Sequence, residues 1–443
     1  MDRREENALR ACHVRRGARN SRCLNVELIN TGSELMLGRV LNTHQQWLCR
    51  RLADLGYVVT RQVAVADTGS AIEQAVREAL GRADLIITTG GLGPTSDDIT
   101  RDLVAQLLGK QLHEDAGVLA NIERFFSERK RPMPASTRVQ ALVPEEATVL
   151  HNAHGTAPGL VMEVKPNRFR EVRQSSWLVM LPGPPRELRP MFDELVVPLL
   201  RRELPLECAF VCRTLRTTGI GESLVQDRIN APLAALVAAG LEVGYCARIW
   251  QVDVRLAATG PEAARLVREA EAVVRALLAK QIFGEEDAEL ESVVVRLLTE
   301  RKQTLALAES CTGGGIAHRV TNVPGASAVL LAGLVTYCNE AKAKFLGVRA
   351  ATLIAHGAVS EPVAREMAEG ARRETGADFA LSVTGIAGPT GGSEAKPVGT
   401  VFIALASARG TAVLKQFNPY DRETFKQATA NQALEMLRRA ILD

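Results

Sequence analysis

Hydrophobic and polar positions along the chain predict strands separated by helices. From residue 24, LNVELIN is typical of a buried strand, GRVLNTHQQWLCRRLADLG of an amphipathic helix that ends at Gly56, and YVVTRQVAV of a second strand. A helix capped by Ser70 follows, then the strand DLIITTGG and a helix near TRDLVAQLLG. Strands joined by helices over short connections predict a parallel, doubly wound sheet.

The rest of the chain predicts two further regions. The proline-rich segment LPGPPRELRPMF, residues 181–192, follows the strand SWLVML and predicts a rigid exit from the first domain. Residues from about 190 to 284 mix strands and helices and predict a small α+β region with no chemistry of its own. Regular alternation of strands and helices then returns, so we expect a second α/β region.

These patterns divide the chain of 443 residues into four segments. At about 150 residues per domain, the length suggests roughly three domains. We expect a flexible Arg-rich tail over residues 1–23, a three-layer α/β/α domain over 24–188, an α+β connecting domain over 189–285 and an α/β domain over 286–443.

The charge balance excludes a polybasic nucleic-acid coating protein and an acidic tail protein, because 54 Lys and Arg stand against 51 Asp and Glu. Seven Arg and three acidic residues give the first 23 residues a charge of +4; since the whole chain is +3, the remainder carries −1. The chain has no run of eighteen apolar residues, and its first residues are charged. We therefore expect a cytoplasmic protein that binds neither membranes nor nucleic acid directly.

The loop GGLGPTSDDIT, residues 90–100, predicts an anion site in the first domain. It joins a strand to a helix, and N–H groups beside a helix N-terminus bind phosphate. Asp97 and Asp98 could hold a divalent metal on a phosphate-rich ligand, and Glu34 and Asp67 follow neighbouring strands at the same edge. Alternatively, Asp98 only caps the following helix. The loop carries neither the ATP-binding nor the dinucleotide-binding fingerprint.

Ser310 is the candidate nucleophile of the last domain. It ends the strand TLALAES, a helix is expected to begin at Cys311, and the N–H groups of the next turn could stabilise an oxyanion. No His is suitably placed, but Tyr337 ends a strand and Lys342 and Lys344 lie on the helix after it. A desolvated lysine has a lowered pKa and can serve as the base, with Tyr337 relaying a proton or donating a hydrogen bond. Alternatively, Ser310 is a helix cap and both lysines are solvated.

A glycine-rich loop, TGIAGPTGGSEAKPVGT at residues 384–400, lies between two apolar strands. Its glycines and Lys396 suit a loop that wraps a phosphate or a ribose. The alternative is a disordered connector.

Many long stretches of the chain occur in the order of one protein family. The first half contains TGSELMLGRVLNT, TTGGLGPTSDDIT, RVQALVPEEATVL, GTAPG and LPGPPRELRPMF, and the second half contains LAESCTGG, VTYCNEAK, HGAVSEPVA, TGIAGPTGG and KPVGTVFIA. Over about residues 24–443 the chain resembles the CinA family of competence/damage-inducible proteins. It departs from the family pattern at Cys338, which replaces the serine of TYSNEAK, and at TGSEL with VADT, which replace GTEL with VGDN.

For the first domain, the resemblance implies a molybdopterin-cofactor-binding-like fold and a metal-dependent ADP-ribose pyrophosphatase activity. Asp98 falls where the related cofactor-binding proteins place their functional aspartate, and Gly91, Gly93 and Thr100 surround it. The resemblance thus gives Asp98 as the metal ligand, without identifying the metal.

For the last domain, the resemblance implies a nicotinamide-nucleotide amidase of pyridine nucleotide salvage. Such an enzyme converts nicotinamide mononucleotide and water to nicotinate mononucleotide and ammonia. Ser310, Tyr337 and Lys342 match the family's serine, tyrosine and lysine, so we expect Lys342 to deprotonate Ser310 without a metal or other cofactor. The expected substrate-binding residues are Thr312, Gly313, Gly314, Gly385, Gly388 and Lys396.

Two alternatives remain open. ADP-ribose hydrolysis in the first domain could be the main activity, or the protein could be a non-catalytic component of DNA uptake or recombination. The presence of Ser310, Tyr337 and Lys342 together argues against the second, because a scaffold does not need them. The expected partners are nicotinamide mononucleotide, ADP-ribose and a second copy of the chain in a homodimer.

Overall fold

The computed structural model of the protein describes residues 24–170, 174–206 and 209–443, so the predicted Arg-rich tail at 1–23 lies outside the described residues. The chain forms two compact units, which meet in sequence between Phe210 and Val211. No helix within the described ranges combines the length and the apolar character that a membrane crossing requires.

The first unit is built on a six-stranded sheet. Its strands are β1 (Val26–Thr31), β2 (Val59–Val65), β3 (Leu85–Thr89), β4 (Leu112–Glu114), β5 (Leu142–Pro144), β6 (Thr148–Leu150), β7 (Gly159–Val164) and β8 (Ser176–Leu181). Strands β4 and β5 form a separate ribbon, and the others form a sheet in the order β2-β1-β3-β8-β7-β6. Strands β2, β1, β3 and β8 are parallel, whereas β7 and β6 are antiparallel to their neighbours.

Helices cover both faces of this sheet, as predicted. They are α1 (Ser33–Met36), α2 (Thr43–Asp54), α3 (Gly69–Leu80), α4 (Thr100–Leu108), α5 (Ala116–Glu128), α6 (Pro185–Met191) and α7 (Val197–Glu203). Helices α3, α4 and α5 share one apolar core with the sheet, and α2, α6 and α7 share the other. The predicted α/β class is confirmed.

Two expected helix starts are wrong. The helix expected from residue 38 begins at Thr43, because the Asn42 side chain accepts a hydrogen bond from the Gln45 N–H group and caps the helix there. Helix α3 begins at Gly69, one residue before Ser70, and Thr68 occupies the cap position without a side-chain hydrogen bond. Ser70 therefore lies inside the first turn.

The proline-rich segment, predicted to be a rigid exit from the first domain, is helical and lies within the first unit. Helix α6 leads through a π-helical turn, Phe192–Val196, into α7. Proline is tolerated at the start of a helix because that N–H group has no partner within the helix. The side chains of Leu188 and Phe192 are fully buried in the core that α6 shares with α2 and α7. The boundary expected at residue 188 therefore falls inside a helix, and the first unit continues to Phe210.

The second unit contains two sheets. Its strands are β9 (Phe210–Thr218), β10 (Glu242–Arg248), β11 (Gln251–Thr259), β12 (Ile282–Glu285), β13 (Leu305–Glu309), β14 (Leu330–Val335), β15 (Phe379–Gly385), β16 (Thr400–Ser407) and β17 (Gly410–Phe417). Its helices are α8 (Glu222–Ala238), α9 (Ala263–Leu278), α10 (Leu290–Arg301), α11 (Gly315–Thr321), α12 (Asn339–Leu346), α13 (Ala350–His356), α14 (Glu361–Thr375) and α15 (Arg422–Leu442).

The connecting domain has the expected α+β form. Strands β10, β11, β9 and β12 form its sheet in that order, and α8 and α9 pack on it through a common apolar core. This domain does not form a separate compact unit, because the second unit comprises everything from Val211 to Asp443.

The last domain places the end of β13 at a point where the chain changes direction. Its sheet has the order β14-β13-β15-β16-β17, and β13 is parallel to both of its neighbours. Helices α10, α11 and α15 share a core on one face, and α12 and α14 share a core on the other. The chain leaves β13 for β14 on one side and later enters β15 on the other. Ligands bind at such switch points in open α/β sheets.

Candidate functional site

The candidate nucleophile Ser310 lies beside the side-chain amine of Lys342. Ser310 follows β13 at the carboxyl edge of the sheet and is 8% exposed. The Lys342 Nζ atom, on α12, is 3.0 Å from the Ser310 Oγ atom, and the lysine is 1% exposed. The structure thus brings the serine together with one candidate lysine, whereas Lys344 is exposed to solvent.

Three oxygen atoms surround the side-chain amine of Lys342. Its Nζ atom donates hydrogen bonds to the carbonyl oxygens of Thr336 at 2.8 Å and Tyr337 at 3.1 Å. The third oxygen is the Ser310 Oγ atom, which accepts a hydrogen bond from Nζ at 3.0 Å. When the amine is neutral, its two N–H groups still satisfy the two carbonyls, and its lone pair can accept the proton of the Ser310 hydroxyl. Burial removes water from the amine and lowers the pKa of Lys342. This arrangement suits a general base.

The turn after Ser310 is held by the buried carboxylate of Glu309, which sequence reasoning missed. Glu309 is 1% exposed and accepts a hydrogen bond from the Thr312 hydroxyl at 2.6 Å. Its backbone donors are the N–H groups of Gly314 at 3.0 Å, Ile316 at 3.1 Å and Ala317 at 2.8 Å. A carboxylate at a helix N-terminus offsets the partial positive charge there, so Glu309 stabilises the start of α11.

The helix after Ser310 begins later than expected. Sequence reasoning placed its start at Cys311, whereas α11 starts at Gly315 and the intervening residues form a tight turn. Gly313 and Gly314 have φ angles of +64° and +91°, a left-handed conformation that favours glycine. These two expected substrate-binding residues therefore give the turn its shape.

Two N–H groups of this turn have no carbonyl partner in the described part of the chain. The N–H groups of Gly313 and Gly315 donate to the carbonyl oxygens of Ser310 and Thr312. The turn leaves the N–H groups of Cys311 and Thr312 without such an acceptor. They directly follow the nucleophile and are the candidate donors to an oxyanion.

The thiol beside the nucleophile is inert as a base or nucleophile. Cys311 is buried, and burial raises the pKa of its thiol to about 12. The hydroxyl of Ser310, rather than this neighbouring sulfur, therefore remains the candidate nucleophile of the turn.

Tyr337 contacts the base through its backbone. Its carbonyl oxygen accepts from Lys342, but the side chain is 59% exposed and the phenol oxygen accepts a hydrogen bond from Arg422 Nη2 at 2.6 Å. The contacts of the phenol are thus with Arg422 and not with the amine that a proton relay would require. The placement favours a role for the phenol at the rim of the site.

The glycine-rich loop contributes to the same rim. The Gly388 carbonyl oxygen accepts a hydrogen bond from Arg422 Nη1 at 2.9 Å. Gly385 is the last residue of β15, beside the end of β13. Lys396 lies elsewhere than expected, since its Nζ atom donates to the carbonyl oxygen of His356 at 2.7 Å. That bond ties the loop to the end of α13 and explains why the loop is an ordered element.

A cationic cleft adjoins the turn after Ser310. Its volume is about 420 Å³, and its charged residues are Arg319, Arg422, Lys426 and one acid, Glu423. Thr312 also lines it, which links the cleft to the nucleophile turn. Sequence reasoning missed these cations. The spacing of Arg422 and Lys426, four residues apart on one helix, was the available signal, because such residues share a face.

Most of the site residues predicted for the first unit line one cavity. A cavity of about 420 Å³ lies at the carboxyl ends of β1, β2, β3 and β8. Its acidic lining residues are Glu34, Asp67, Asp97, Asp98 and Glu187, and Gly91 and Gly93 also line it. Glu187, which is 6% exposed, was not predicted. Thr100 is buried against Gly91, and a side chain on Gly91 would collide with its hydroxyl.

Asp98 caps a turn rather than the following helix. Its Oδ2 atom accepts hydrogen bonds from the Thr95 N–H group at 3.0 Å and from the Thr95 hydroxyl. The cap residue of α4 is Ile99, which makes no side-chain cap. The proposed capping role is therefore wrong, and a side chain on Gly93 would collide with the Asp98 carboxylate.

The carboxylates of this cavity do not form a preformed metal site. Within the described ranges, no group of three or more His, Cys, Asp or Glu side chains could hold a metal ion. Mg²⁺ is often held by one or two carboxylates together with substrate phosphates, and the cavity offers carboxylates without any Lys or Arg in its lining. Asp98 thus fits a cation that arrives with a phosphate ligand. Gln140 also lines the cavity, and its buried Oε1 atom has no partner among the described residues.

Comparisons with known proteins divide the chain into three matched segments. Residues 27–202 match a probable molybdopterin binding domain, residues 212–284 the damage-inducible protein CinA KH domain, and residues 287–441 the CinA C-terminal domain. The matched segments thus cover most of both units.

Relatives of similar length match nearly the whole chain. A CinA-like protein of Akkermansia muciniphila is 44% identical over 412 residues, which cover 93% of this chain and 96% of the relative. A CinA-like protein of Gemmatimonas aurantiaca is 40% identical over 422 residues, which cover 94% and 96%. A crystal structure of the competence/damage inducible protein CihA from Agrobacterium tumefaciens is 42% identical, covers 35% of this chain and 98% of its own, and has a TM-score of 0.33.

Proposed function

The chain belongs to the CinA family, and from that premise we propose that its second unit is an amidase that hydrolyses the carboxamide of nicotinamide mononucleotide. The family resemblance expected from the sequence is confirmed. The names of the relatives describe competence and damage induction rather than a reaction, so the proposal depends chiefly on the 3.0 Å contact between a buried amine and the Ser310 hydroxyl.

Lys342 acts as the general base in this proposal. Its lone pair takes the proton of Ser310 as Oγ forms a bond to the carboxamide carbon, and the N–H groups of Cys311 and Thr312 stabilise the oxyanion. The tetrahedral intermediate collapses with cleavage of the C–N bond, and the Lys342 ammonium returns its proton so that ammonia leaves. Water then attacks the acyl ester while Lys342 takes its proton, and Lys342 returns this proton to Oγ as the ester C–O bond breaks, which releases nicotinate mononucleotide and restores the Ser310 hydroxyl.

The cationic cleft binds the phosphate of the substrate in this proposal. Lys426 has no ion-pair or hydrogen-bond partner among the described residues, so its ammonium is available to a ligand. Arg422 joins the cleft to Tyr337 and to the Gly388 carbonyl oxygen. A ligand with its phosphate in the cleft would thus have its carboxamide directed toward the turn that carries Ser310.

The proposal is tested by ammonia release from nicotinamide mononucleotide. We expect Ser310→Ala and Lys342→Met to lower kcat by about 10³-fold or more, because nucleophile and base act as one unit. Lys344→Met is the matched control, since Lys344 lies on the same helix but is exposed. Normal ammonia release by the Ser310→Ala protein would rule out the mechanism.

ADP-ribose hydrolysis in the first unit is a second candidate. The cavity has the size of a nucleotide site, and five carboxylates line it without a cation. A diphosphate would be repelled there unless a cation neutralised it. Asp98, with Asp97 beside it, would hold a divalent cation, which when bound neutralises the diphosphate and polarises it for attack by water. The loop from Gly91 to Gly93 offers N–H groups to the phosphates.

The second candidate predicts cleavage of the phosphoanhydride bond of ADP-ribose that depends on Asp98. We expect Asp98→Asn to abolish release of AMP from ADP-ribose in the presence of Mg²⁺ or Mn²⁺, with the amidase unchanged. The matched control is Asp102→Asn, since Asp102 lies on α4 in an ion pair with Arg101, outside the residues that line the cavity. Equal loss of activity in both variants would contradict a specific role for Asp98.

A further inference from the structure

The connecting domain, formed by β9 to β12 with α8 and α9, is linked to the cationic cleft by a side chain of α15. Asn431 lies on α15 and is 7% exposed. Its Nδ2 atom donates a hydrogen bond to the carbonyl oxygen of Ile249 at 2.7 Å, in the turn between β10 and β11. Its Oδ1 atom accepts a hydrogen bond from Arg319 Nη1 at 2.9 Å. One amide therefore joins the connecting domain to a cation of the cleft.

Arg319 is held on two sides. Besides Asn431, its Nη2 atom contacts the Glu291 carboxylate at 2.6 Å. A guanidinium has five N–H groups in a rigid plane, so two fixed contacts orient it and leave the remaining N–H groups for a ligand. Without the Asn431 contact, Arg319 would retain only its ion pair and could rotate about it. The position of this cation in the cleft depends on Asn431.

The turn that carries Ile249 is itself supported from within the connecting domain. The Gln251 side chain is buried, with Nε2 at 3.5 Å from Asn431 Oδ1 and Oε1 accepting from Arg216 Nη2 at 3.2 Å. Arg216 is 1% exposed and forms an ion pair with Asp253 at 3.1 Å. Removing any partner of a buried cation is costly, because it leaves an uncompensated charge in the interior. The partners of Arg216 therefore hold its guanidinium in one position.

We infer that the connecting domain is a positioning element of the amidase site, which fixes Arg319 through Asn431 and thereby sets the affinity for the phosphate end of the substrate. The sequence predicted a purely architectural role for the connecting domain. The inference gives it a role in substrate binding instead. The inference relies on the proposed function for the identity of the substrate, but the link between Asn431 and anion binding can be measured without catalysis.

The test uses the full chain and two readouts. The first is the Kd of ribose 5-phosphate, measured by calorimetry, and the second is KM and kcat for ammonia release from nicotinamide mononucleotide. We expect Asn431→Leu to raise both Kd and KM about tenfold with kcat unchanged, since a hydrogen bond to a charged group is lost. Gln251→Met, a change within the connecting domain, is expected to raise both about threefold. This second variant serves if Asn431→Leu does not fold.

Thr217→Val is the matched control. Thr217 is a fully buried polar residue of the same sheet, and its hydroxyl donates to the Val252 carbonyl oxygen at 2.8 Å, inside the connecting domain. We expect this variant to keep the wild-type Kd and KM. If Thr217→Val weakened binding as much as Gln251→Met, or if Asn431→Leu bound ribose 5-phosphate normally, the inference would be overturned.

The two proposals fail in different ways. A wild-type protein that binds ribose 5-phosphate but releases no ammonia refutes the amidase, while the Kd series still decides the role of Asn431. A wild-type protein that releases ammonia but does not bind ribose 5-phosphate overturns the inference and leaves the amidase in place. A fall in kcat with an unchanged KM in Asn431→Leu would also overturn it, because the role assigned is in binding.

Discussion

The two units carry cavities of the same size at equivalent places in their sheets, with opposite charge. Each cavity measures about 420 Å³. In the first unit it lies at the end of β1, which is paired with β2 on one side and β3 on the other; in the second, the turn after β13 occupies the same topological position. Five carboxylates line the first, whereas three cations and one carboxylate line the second. The two units thus share the topological position of a cavity, and the charge of the side chains that line it is what differs.

The two units also differ in the hydrogen bonds that their buried glutamates, Glu309 and Glu187, accept. Glu309 is saturated by a hydroxyl and three N–H groups and has no capacity left for a ligand. Glu187 is also buried and lines the cavity of the first unit; it accepts a hydrogen bond from the Asn152 side chain at 2.8 Å and forms an ion pair with Arg186 at 3.7 Å. A buried carboxylate with few donors is costly unless something cationic compensates it. Glu309 is therefore compensated within its own turn, whereas Glu187 is compensated by Asn152 and Arg186 and lines a cavity.

Removing divalent metal should give the largest difference between the activities proposed for the two cavities. We expect chelation with EDTA to lower the rate of ADP-ribose hydrolysis by about 100-fold or more. Without a bound cation, the carboxylates that line the cavity repel the diphosphate of the substrate. Ammonia release, which uses Lys342, should change less than about twofold. Both are measured on one preparation before and after Mg²⁺ is restored. Equal sensitivity to EDTA would contradict the comparison.

Replacing each buried glutamate with alanine should destabilise the protein more at Glu309 than at Glu187. We expect Glu309→Ala to lower the free energy of unfolding by about 3 kcal/mol, because it leaves several buried donors without an acceptor. Glu187→Ala should cost less than about 1 kcal/mol, since few contacts are lost. Urea denaturation measures both. A larger loss for Glu187→Ala would mean that this residue, too, is structural.

The pH dependence of the amidase should reflect Lys342. Only the neutral amine can accept the proton of Ser310, and burial places its pKa below the ordinary 10.5. The rate is therefore expected to fall about tenfold per pH unit as the pH drops below that pKa, and to level off above it. The measurement is kcat/KM between pH 5 and pH 10. A flat profile, or one that falls with rising pH, would show that Lys342 is not the base.

Removing one cation should weaken binding without affecting chemistry. We expect Lys426→Met to raise KM for nicotinamide mononucleotide about tenfold with kcat unchanged, since a charged contact to phosphate is lost. Lys415→Met is the control, because Lys415 lies on β17 over the ring of Phe402 and outside the cleft. An unchanged KM in Lys426→Met would place the phosphate elsewhere.

The smallest effect is expected at Cys338, the residue that departs from the family pattern. Cys338 is exposed, and its backbone carbonyl oxygen accepts the Lys342 N–H group. Cys338→Ser should therefore leave kcat/KM within about twofold, because the backbone contact remains. Alkylation by a thiol reagent should modify Cys338 in the folded protein and spare Cys311, whose thiol is buried. A tenfold change in kcat/KM would show that the thiol takes part in the site.

The sequence could predict residues that lie at strand ends. Ser310 and Lys342 were placed together because each follows a strand of one parallel sheet, and Asp67 and Asp98 for the same reason. Carboxyl ends of parallel strands meet at one edge, so strand order need not be known in detail. The α/β class could be predicted equally well, since it depends on the period of the hydrophobic pattern.

Residues that join the site through packing could not be predicted in this way. Arg422 and Lys426 arrive on a helix more than one hundred residues after Ser310, and which helix covers a sheet face is a tertiary property. Glu309 was overlooked because strand-like burial masks a carboxylate that turns back to cap the next helix. The helix at Pro185 was interpreted as a rigid exit from the first domain. Prolines stiffen a connecting segment, but proline is equally compatible with the first turn of a helix.

The placement of α15 has a consequence for protein synthesis. The ribosome completes β13 and α12, which hold the nucleophile and base, well before α15 emerges. Until α15 docks, the pair of Ser310 and Lys342 exists without the wall that supplies Arg422 and Lys426, and one face of the sheet is uncovered. On the proposed function, a nascent chain would therefore hold the candidate nucleophile and base before it holds the cations that bind the phosphate. Selectivity for a phosphorylated substrate would then be acquired late in folding.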